Sequence, residues 1–125
     1  MDGLDHDHPV DAERVRAARE AMISPTQARR LSQLLSLVAD PVRSRVLLAL
    51  GASGELCVGD IALALDSTQD ATSYALRLLR TAGLVAHRKD GRVVYYRLAD
   101  GFPHPLVEHC LRQLLTISPT AGRAG

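Results

Sequence analysis

The chain has 125 residues, of which 46% are hydrophobic and 23% charged, and its net charge at pH 7 is +1. This length suits one domain with a real core, and the small net charge excludes a uniformly basic coat for nucleic acid. No run of about eighteen apolar residues occurs, and the N-terminus lacks both a basic flank and an apolar stretch, so we expect a cytoplasmic protein without a membrane partner.

Helical spacing of apolar residues predicts five helices in the first two thirds of the chain. They cover residues 11 to about 22, 24–39, 41–50, 58–65 and 68 to about 81. Ser24 and Gln27 form a capping box around Pro25 at the start of the second helix. Asp40 followed by Pro41 marks the start of the third. Because the chain has only three tyrosines and one phenylalanine, the core between these helices should be aliphatic.

The pattern changes from helical to extended after the fifth helix. Gly83 ends that helix as a C-cap glycine would. Two segments rich in β-forming residues follow, residues 85–89 and 92–98. Between them, Asp90-Gly91 is the strongest two-residue hairpin signal. We therefore expect two strands joined by a tight turn.

The order of these elements predicts the fold class. Two short helices that meet at a sharp turn and precede a β-hairpin are typical of a winged helix-turn-helix. A further helix over residues 105 to about 117 follows the hairpin. We therefore expect an α+β, mostly helical fold, with a flexible arm over residues 1–10, one winged helix-turn-helix domain over residues 11–117 and a disordered tail over residues 118–125.

The second helix of a helix-turn-helix enters the major groove of DNA, and its outward face follows from residue spacing. Polar residues recur there opposite a stripe of alanines and leucines, and they are Gln69, Ser73, Arg77 and Arg80. Such side chains can hydrogen-bond to base edges or phosphates. The hairpin adds three cations that a wing would place on the DNA backbone or in the minor groove: Arg88, Lys89 and Arg92. A solvated surface with ordinary charges is the alternative.

Four motifs occur in order along the chain. They are ADPVR at residues 39–43, ELCVGDIA at 55–62, LRLLR at 76–80 and GRVVYY at 91–96. With them the chain resembles, over residues 28 to 115, the ArsR/SmtB family of metal-sensing repressors. The resemblance implies a homodimer whose N- and C-terminal helices pair as dimerisation helices, and double-stranded operator DNA as its partner. It implies release of that DNA when metal binds, and no metal is required for DNA binding.

Cys57 and Asp60 are candidate metal ligands at the start of the fourth helix, where the helix N-terminus favours a thiolate. The resemblance implies that this pair joins residues from the N-terminal segment of the other subunit, where His6 and His8 lie. Sulfur, nitrogen and oxygen ligands of this kind suit tetrahedral Zn(II) and also the softer Cd(II). Alternatively, Cys57 is a small buried hydrophobe, Asp60 a carboxylate favoured by the helix dipole, and the histidines are incidental.

The last helix carries a second metal site in the family, and this sequence departs from its pattern. Asp100 is retained, but Phe102, Gln113 and Thr116 occupy the other positions, and none is a normal divalent-metal ligand. A set in a shifted register could rebuild the site: Asp100, His104, Glu108 and His109. Alternatively, Glu108 pairs with Arg112 on the surface.

Further departures concern the DNA-facing helix. Asp66 stands where the family commonly has glycine in the turn, and Tyr74, near the DNA-facing surface, where histidine is common. Asp70 replaces a common serine and would repel phosphates unless it accepts from cytosine or caps the helix. The operator sequence therefore cannot be borrowed from relatives, although Tyr74 joins the candidate DNA contacts.

Two other functions compete with metal sensing. In a thiol-based redox or persulfide sensor, Cys57 and Cys110 would replace the metal site, although Cys110 lies on the apolar stripe of the last helix, which favours core packing. A winged helix that binds only proteins would show no salt-dependent affinity for DNA. No phosphate-binding glycine loop, nucleophile elbow or pair of inward carboxylates occurs, so we expect no enzyme.

Overall fold

The computed structural model describes residues 10–119. Most of the predicted flexible arm and residues 120–125 of the predicted tail lie outside the described residues. Contacts divide the chain into two compact units, one up to Gln33 and one from Leu34 onward. This division falls within the span 11–117 that the sequence predicts as one domain.

The first two helices have the capping that the sequence predicts. Helix α1 (Ala12–Ala21) starts at Asp11, and helix α2 (Pro25–Val38) starts after Ser24. The backbone N–H of Gln27 donates to Ser24 Oγ at 3.0 Å, and the backbone N–H of Ser24 donates to Gln27 Oε1 at 2.9 Å. The predicted capping box is therefore confirmed. Neither helix has a buried residue.

Helices α3 (Pro41–Ser53), α4 (Val58–Leu65) and α5 (Gln69–Thr81) follow. Asp40 caps α3 by accepting from the backbone N–H groups of Val42 and Arg43 at 3.0 and 2.9 Å. The turn between α4 and α5 passes through Asp66, whose φ of 54° lies in the left-handed region. Glycine adopts this conformation most readily, and aspartate tolerates it better than most other residues.

The β-hairpin consists of β2 (Val85–Asp90) and β3 (Val93–Leu98), which pair antiparallel. Asp90 pairs with Val93, so the two-residue turn is Gly91-Arg92 and the prediction of Asp90-Gly91 is wrong by one position. Gly91 has a φ of 65° and Arg92 does not have a positive φ. A glycine with a positive φ at the first central position alone is typical of a type II′ turn, whereas a type I′ turn needs a positive φ at both central positions.

A third strand was absent from the sequence-based prediction. Strand β1 (Leu56–Cys57) pairs antiparallel with β3, which gives the order β1-β3-β2. The register joins Leu56 to Tyr96 and Cys57 to Tyr95. Two residues are too few to show the alternation of apolar and polar side chains by which a strand is recognised in a sequence. The pairing of β1 with β3 is therefore apparent only in the structure.

The core lies between α3, α4, α5 and the sheet. Its least exposed side chains are aliphatic, as expected from the composition, and they include Val46, Leu47, Leu50, Ile61, Leu76 and Leu79. Thr72 is the one buried polar residue in the described part of the chain, and its hydroxyl donates to the carbonyl of Thr68 at 2.8 Å. This hydrogen bond removes the cost of burying the hydroxyl.

The helix predicted over residues 105 to about 117 is present, but its middle is π-helical and it ends a few residues earlier. Leu106–Cys110 forms a π-helical segment, and α6 covers only Leu111–Leu114. Val107 is buried against α3, where a Cβ on Gly51 would lie 2.7 Å from its Cγ2. Cys110 is exposed in the single subunit, so the expectation that it packs in the core of this subunit is wrong. No helix in the range 10–119 is both long and apolar enough to span a membrane.

Candidate nucleic-acid interface and metal ligands

Helix α5 presents a continuous polar face. Its inward side holds Thr72, Ala75, Leu76 and Leu79, all buried. The predicted DNA-facing residues lie on the opposite side and are all exposed: Gln69, Ser73, Arg77 and Arg80. The structure therefore brings the predicted stripe together on one helix face, with amide, hydroxyl and guanidinium groups available to base edges and phosphates.

Tyr74 orders one of these arginines. The Arg77 guanidinium carbon lies 5.1 Å from the centre of the Tyr74 ring, and 54% of Tyr74 remains exposed. At this distance the ring face attracts the cation and restricts its orientations. Tyr74 thus belongs to the same surface as the predicted contacts.

Asp70 lies in the first turn of α5, two residues after the N-cap Thr68. Thr68 Oγ1 accepts from the backbone N–H of Ala71 at 3.0 Å, so the cap is Thr68 and not Asp70. The exposed Asp70 carboxylate is favoured there by the helix dipole. The sequence allows Asp70 either to accept a hydrogen bond from cytosine or to cap the helix, and Thr68 fills the capping role.

The hairpin carries its cations in two different states. Lys89 and Arg92 are exposed at its tip, and neither has an ion pair within residues 10–119. Arg88 instead makes two hydrogen bonds to the Glu55 carboxylate, from Nε at 2.9 Å and from Nη2 at 2.8 Å. This pairing lowers the pKa of Glu55 and raises the pKa of Arg88. Within residues 10–119, the two cations at the hairpin tip therefore have no ion pair, whereas Arg88 has one.

Glu55 is a residue that the sequence did not single out. It lies 33 positions from Arg88, and neither helical nor strand periodicity connects residues so far apart. The pairing becomes visible only once β1 is known to lie in the sheet, because Glu55 directly precedes that strand. The Glu55–Arg88 pair was therefore not predictable for the same reason as β1, because a two-residue strand has no periodicity to recognise.

Cys57 and Asp60 both lie at the start of α4. Cys57 is the N-cap residue, is half-buried, and makes no side-chain capping hydrogen bond, while Asp60 is exposed in the first turn. A cysteine sulfur and a carboxylate oxygen are both common ligands of Zn(II) and similar ions. These two residues fit a metal ion, although His6 and His8 lie outside the described residues. Between residues 10 and 119 no three potential ligands meet.

The shifted set in the last helix is not gathered in this chain. Asp100 accepts from Arg97 at 3.3 Å, so its carboxylate already has a cationic partner. The His104 ring lies edge-on to Phe102, with 6.5 Å between ring centres. The Glu108 carboxylate lies 3.9 Å from His109 Nε2, and an ion pair with Arg112 is not found in the described part of the chain.

Residues 40–87 match the model of the bacterial regulatory protein family arsR. Over 91 residues the chain is 44% identical to a transcriptional repressor SmtB homolog from Synechocystis sp., and this match covers 73% of the chain and 68% of the relative. It is 45% identical over 71 residues to the arsenical resistance operon repressor of Escherichia coli, covering 57% of the chain and 61% of the relative. It is 36% identical over 78 residues to a cadmium resistance regulatory protein CadC homolog of Staphylococcus aureus, covering 62% and 64%.

Solved structures with this fold are also similar. HlyU from Vibrio cholerae matches with a TM-score of 0.66 and 30% identity, over 75% of this chain and all of that one. A homodimeric winged helix-turn-helix DNA-binding domain from Mycobacterium bovis matches with a TM-score of 0.59 and 29% identity, over 77% of this chain and 89% of that domain. The predicted winged helix-turn-helix fold is confirmed.

Proposed function

Because the chain belongs to the ArsR/SmtB family of bacterial regulatory proteins, we propose that it is a homodimeric repressor that releases palindromic operator DNA when a divalent metal ion binds. Members of this family regulate transcription and are not enzymes. The observation that carries the proposal is the exposed polar face of α5 beside a hairpin whose two tip cations form no ion pair with any residue from 10 to 119. A protein that binds chromosomal operators works in the cytoplasm.

The DNA contacts proposed here form two groups. On α5 they are Gln69, Ser73, Tyr74, Arg77 and Arg80, which would lie in the major groove. On the wing they are Lys89 and Arg92, which would lie on the phosphate backbone or in the minor groove. Arg88, also predicted as a contact, already uses its guanidinium on Glu55.

A second copy of the chain is the proposed partner of the terminal helices. Apolar side chains remain exposed on α2 and near the C-terminal end of the described chain, and they include Leu31, Leu35, Leu114, Leu115 and Ile117. Near the C-terminal end, an open groove of about 580 Å³ is lined partly by Cys110, Leu114 and Ile117. Exposed apolar surface of this kind is removed from water when subunits associate.

Cys57 and Asp60 are the proposed metal ligands of this chain, completed by His6 and His8 of the other subunit, with Zn(II) or Cd(II) as the ion. Cadmium appears in the name of one relative, and arsenical resistance in another. The thiol-sensor alternative is not favoured by these relatives. The second, weaker set in the last helix stays a prediction.

Fluorescence anisotropy of a labelled operator, selected from random duplexes, tests the proposal. We expect Zn(II) to weaken binding by about five- to 150-fold, the range of typical allosteric coupling. Cobalt titration of the same protein, followed by its sulfur-ligand absorption, shows whether the site is filled. Equal operator affinity with and without bound metal contradicts the proposed release.

A further inference from the structure

Arg88 connects all three strands of the sheet. In the strand order β1-β3-β2, the two outer strands do not touch, and β3 separates them. Tyr95 of β3 pairs with Cys57 of β1 on one side and with Arg88 of β2 on the other. The Arg88 guanidinium carbon lies 4.7 Å from the centre of the Tyr95 ring. The side chain of Arg88 therefore crosses over β3 to reach Glu55, the residue that precedes β1.

The position of this crossing divides the hairpin. Beyond the Arg88–Tyr95 pair, only Lys89–Val94 and Asp90–Val93 remain before the turn. Lys89 and Arg92, which have no ion pair in the described part of the chain, both lie in this short outer part. The orientation of the outer part relative to α4 and α5 therefore depends on what fixes the hairpin at Arg88.

We infer that Glu55, Tyr95 and Arg88 form a brace that positions the wing cations on DNA, and that Glu55 is a positioning residue although it is an anion. The inference rests on the proposed DNA binding. Glu55 fixes one end of the brace beside β1, and the face of the Tyr95 ring attracts the Arg88 guanidinium group. The two hydrogen bonds from Arg88 to the Glu55 carboxylate fix the plane of that guanidinium group. Arg88 acts through the wing and does not itself contact phosphate.

The brace should affect the wing's geometry more than the stability of the fold. The Arg88 side chain is 51% exposed and that of Glu55 is 30% exposed, and exposed ion pairs contribute little to folding. A wing that moves freely must instead be ordered when it binds, and this cost reduces affinity.

Glu55→Gln separates a brace from a simple charge. Removing a carboxylate near DNA should by itself strengthen binding to phosphates, because repulsion falls. If Glu55 braces the wing, Glu55→Gln weakens operator binding by about three- to fivefold, the scale of a surface ion pair. Arg88→Gln weakens it equally, and the double variant is no worse than either single one. Glu13→Gln is the matched control, since Glu13 also pairs with an arginine, Arg16 on α1, and we expect it not to weaken binding.

The opposite pattern overturns the brace. If Arg88 contacts phosphate directly, Glu55→Gln frees it and strengthens binding, and Arg88→Gln alone weakens binding and lowers the salt dependence by about one phosphate contact.

A DNA-free measurement keeps the test independent of the proposed function. Amide hydrogen exchange over residues 86–95 should accelerate in Glu55→Gln and not in Glu13→Gln, with exchange in α3 unchanged. Unchanged exchange in the hairpin of Glu55→Gln overturns the brace even if the protein binds DNA. Failure of the wild-type protein to bind any duplex overturns the proposed function, and the exchange result then still decides whether the brace exists.

Discussion

The proposed DNA-facing surface and the candidate metal site are built in different ways. The first comes from α5 and the adjoining hairpin, whose residues lie close together in sequence and are held by one core. The second has two candidate ligands at the start of α4, and its other predicted ligands lie outside the described residues. A surface made by one helix and one hairpin is complete in a single chain, whereas the proposed metal site needs a second subunit.

The largest expected effect is a loss of stability on substitution at the inward face of α5. Leu76 is fully buried, and Leu76→Ala should lower the free energy of unfolding by about 2–5 kcal/mol because it leaves a cavity in a packed core. Urea denaturation measures this loss. A loss below about 1 kcal/mol would mean that α5 is not packed as the structure has it.

Arg77→Ala tests the neighbouring, outward position. We expect operator affinity to fall by about 1–3 kcal/mol, the scale of one bidentate base contact, while the stability stays within about 0.5 kcal/mol of the wild type. Arg29→Ala, which removes an exposed arginine from α2, is the control and should bind as the wild type does. Unaltered affinity in Arg77→Ala would place the DNA-facing surface elsewhere.

Cys57→Ser tests the candidate metal site. The variant should keep its operator affinity and lose the release by Zn(II), because serine does not replace a thiolate as a metal ligand. Anisotropy with and without Zn(II) measures this, and Cys110→Ser should still respond to the metal. If Cys57→Ser responds fully, the ligands of α4 are wrong and the set in the last helix becomes the better candidate.

Tyr74 should give the smallest effect. Tyr74→Ala removes the ring that lies 5.1 Å from the Arg77 guanidinium, and we expect about 0.5–1 kcal/mol of operator affinity to be lost. Tyr74→Phe keeps the ring and should bind nearly as the wild type does. A loss in Tyr74→Phe as large as in Tyr74→Ala would instead assign the role to the hydroxyl group.

Local signals predicted most of the fold. Capping residues such as Ser24 and Asp40 act within one turn, so their effect can be inferred from a few neighbouring positions. The hairpin was found for the same reason, but its turn was misplaced by one residue, because Asp90-Gly91 and Gly91-Arg92 are both plausible turns and the pairing of Asp90 with Val93 decides between them. The π-helical segment at Leu106–Cys110 has no comparable local signal.

The candidate site was predictable only where one helix face carries it. The exposed stripe of α5 followed from spacing, whereas the Glu55–Arg88 pair depends on strand pairing between distant segments. The metal ligands illustrate the limit in another way, because Cys57 and Asp60 came from a resemblance and spacing alone does not distinguish a ligand from a helix cap. Contacts between segments that are distant in sequence can be recognised only once the pairing of the strands is known.

The most direct test of the DNA-facing surface is the salt dependence of operator binding by the metal-free protein. Anisotropy titrations at increasing salt should show tight binding at low salt and a steep loss of affinity as salt rises, since several cations on each subunit would displace counterions from phosphates. Lack of affinity for any duplex at low salt, or binding that does not change with salt, would contradict the account.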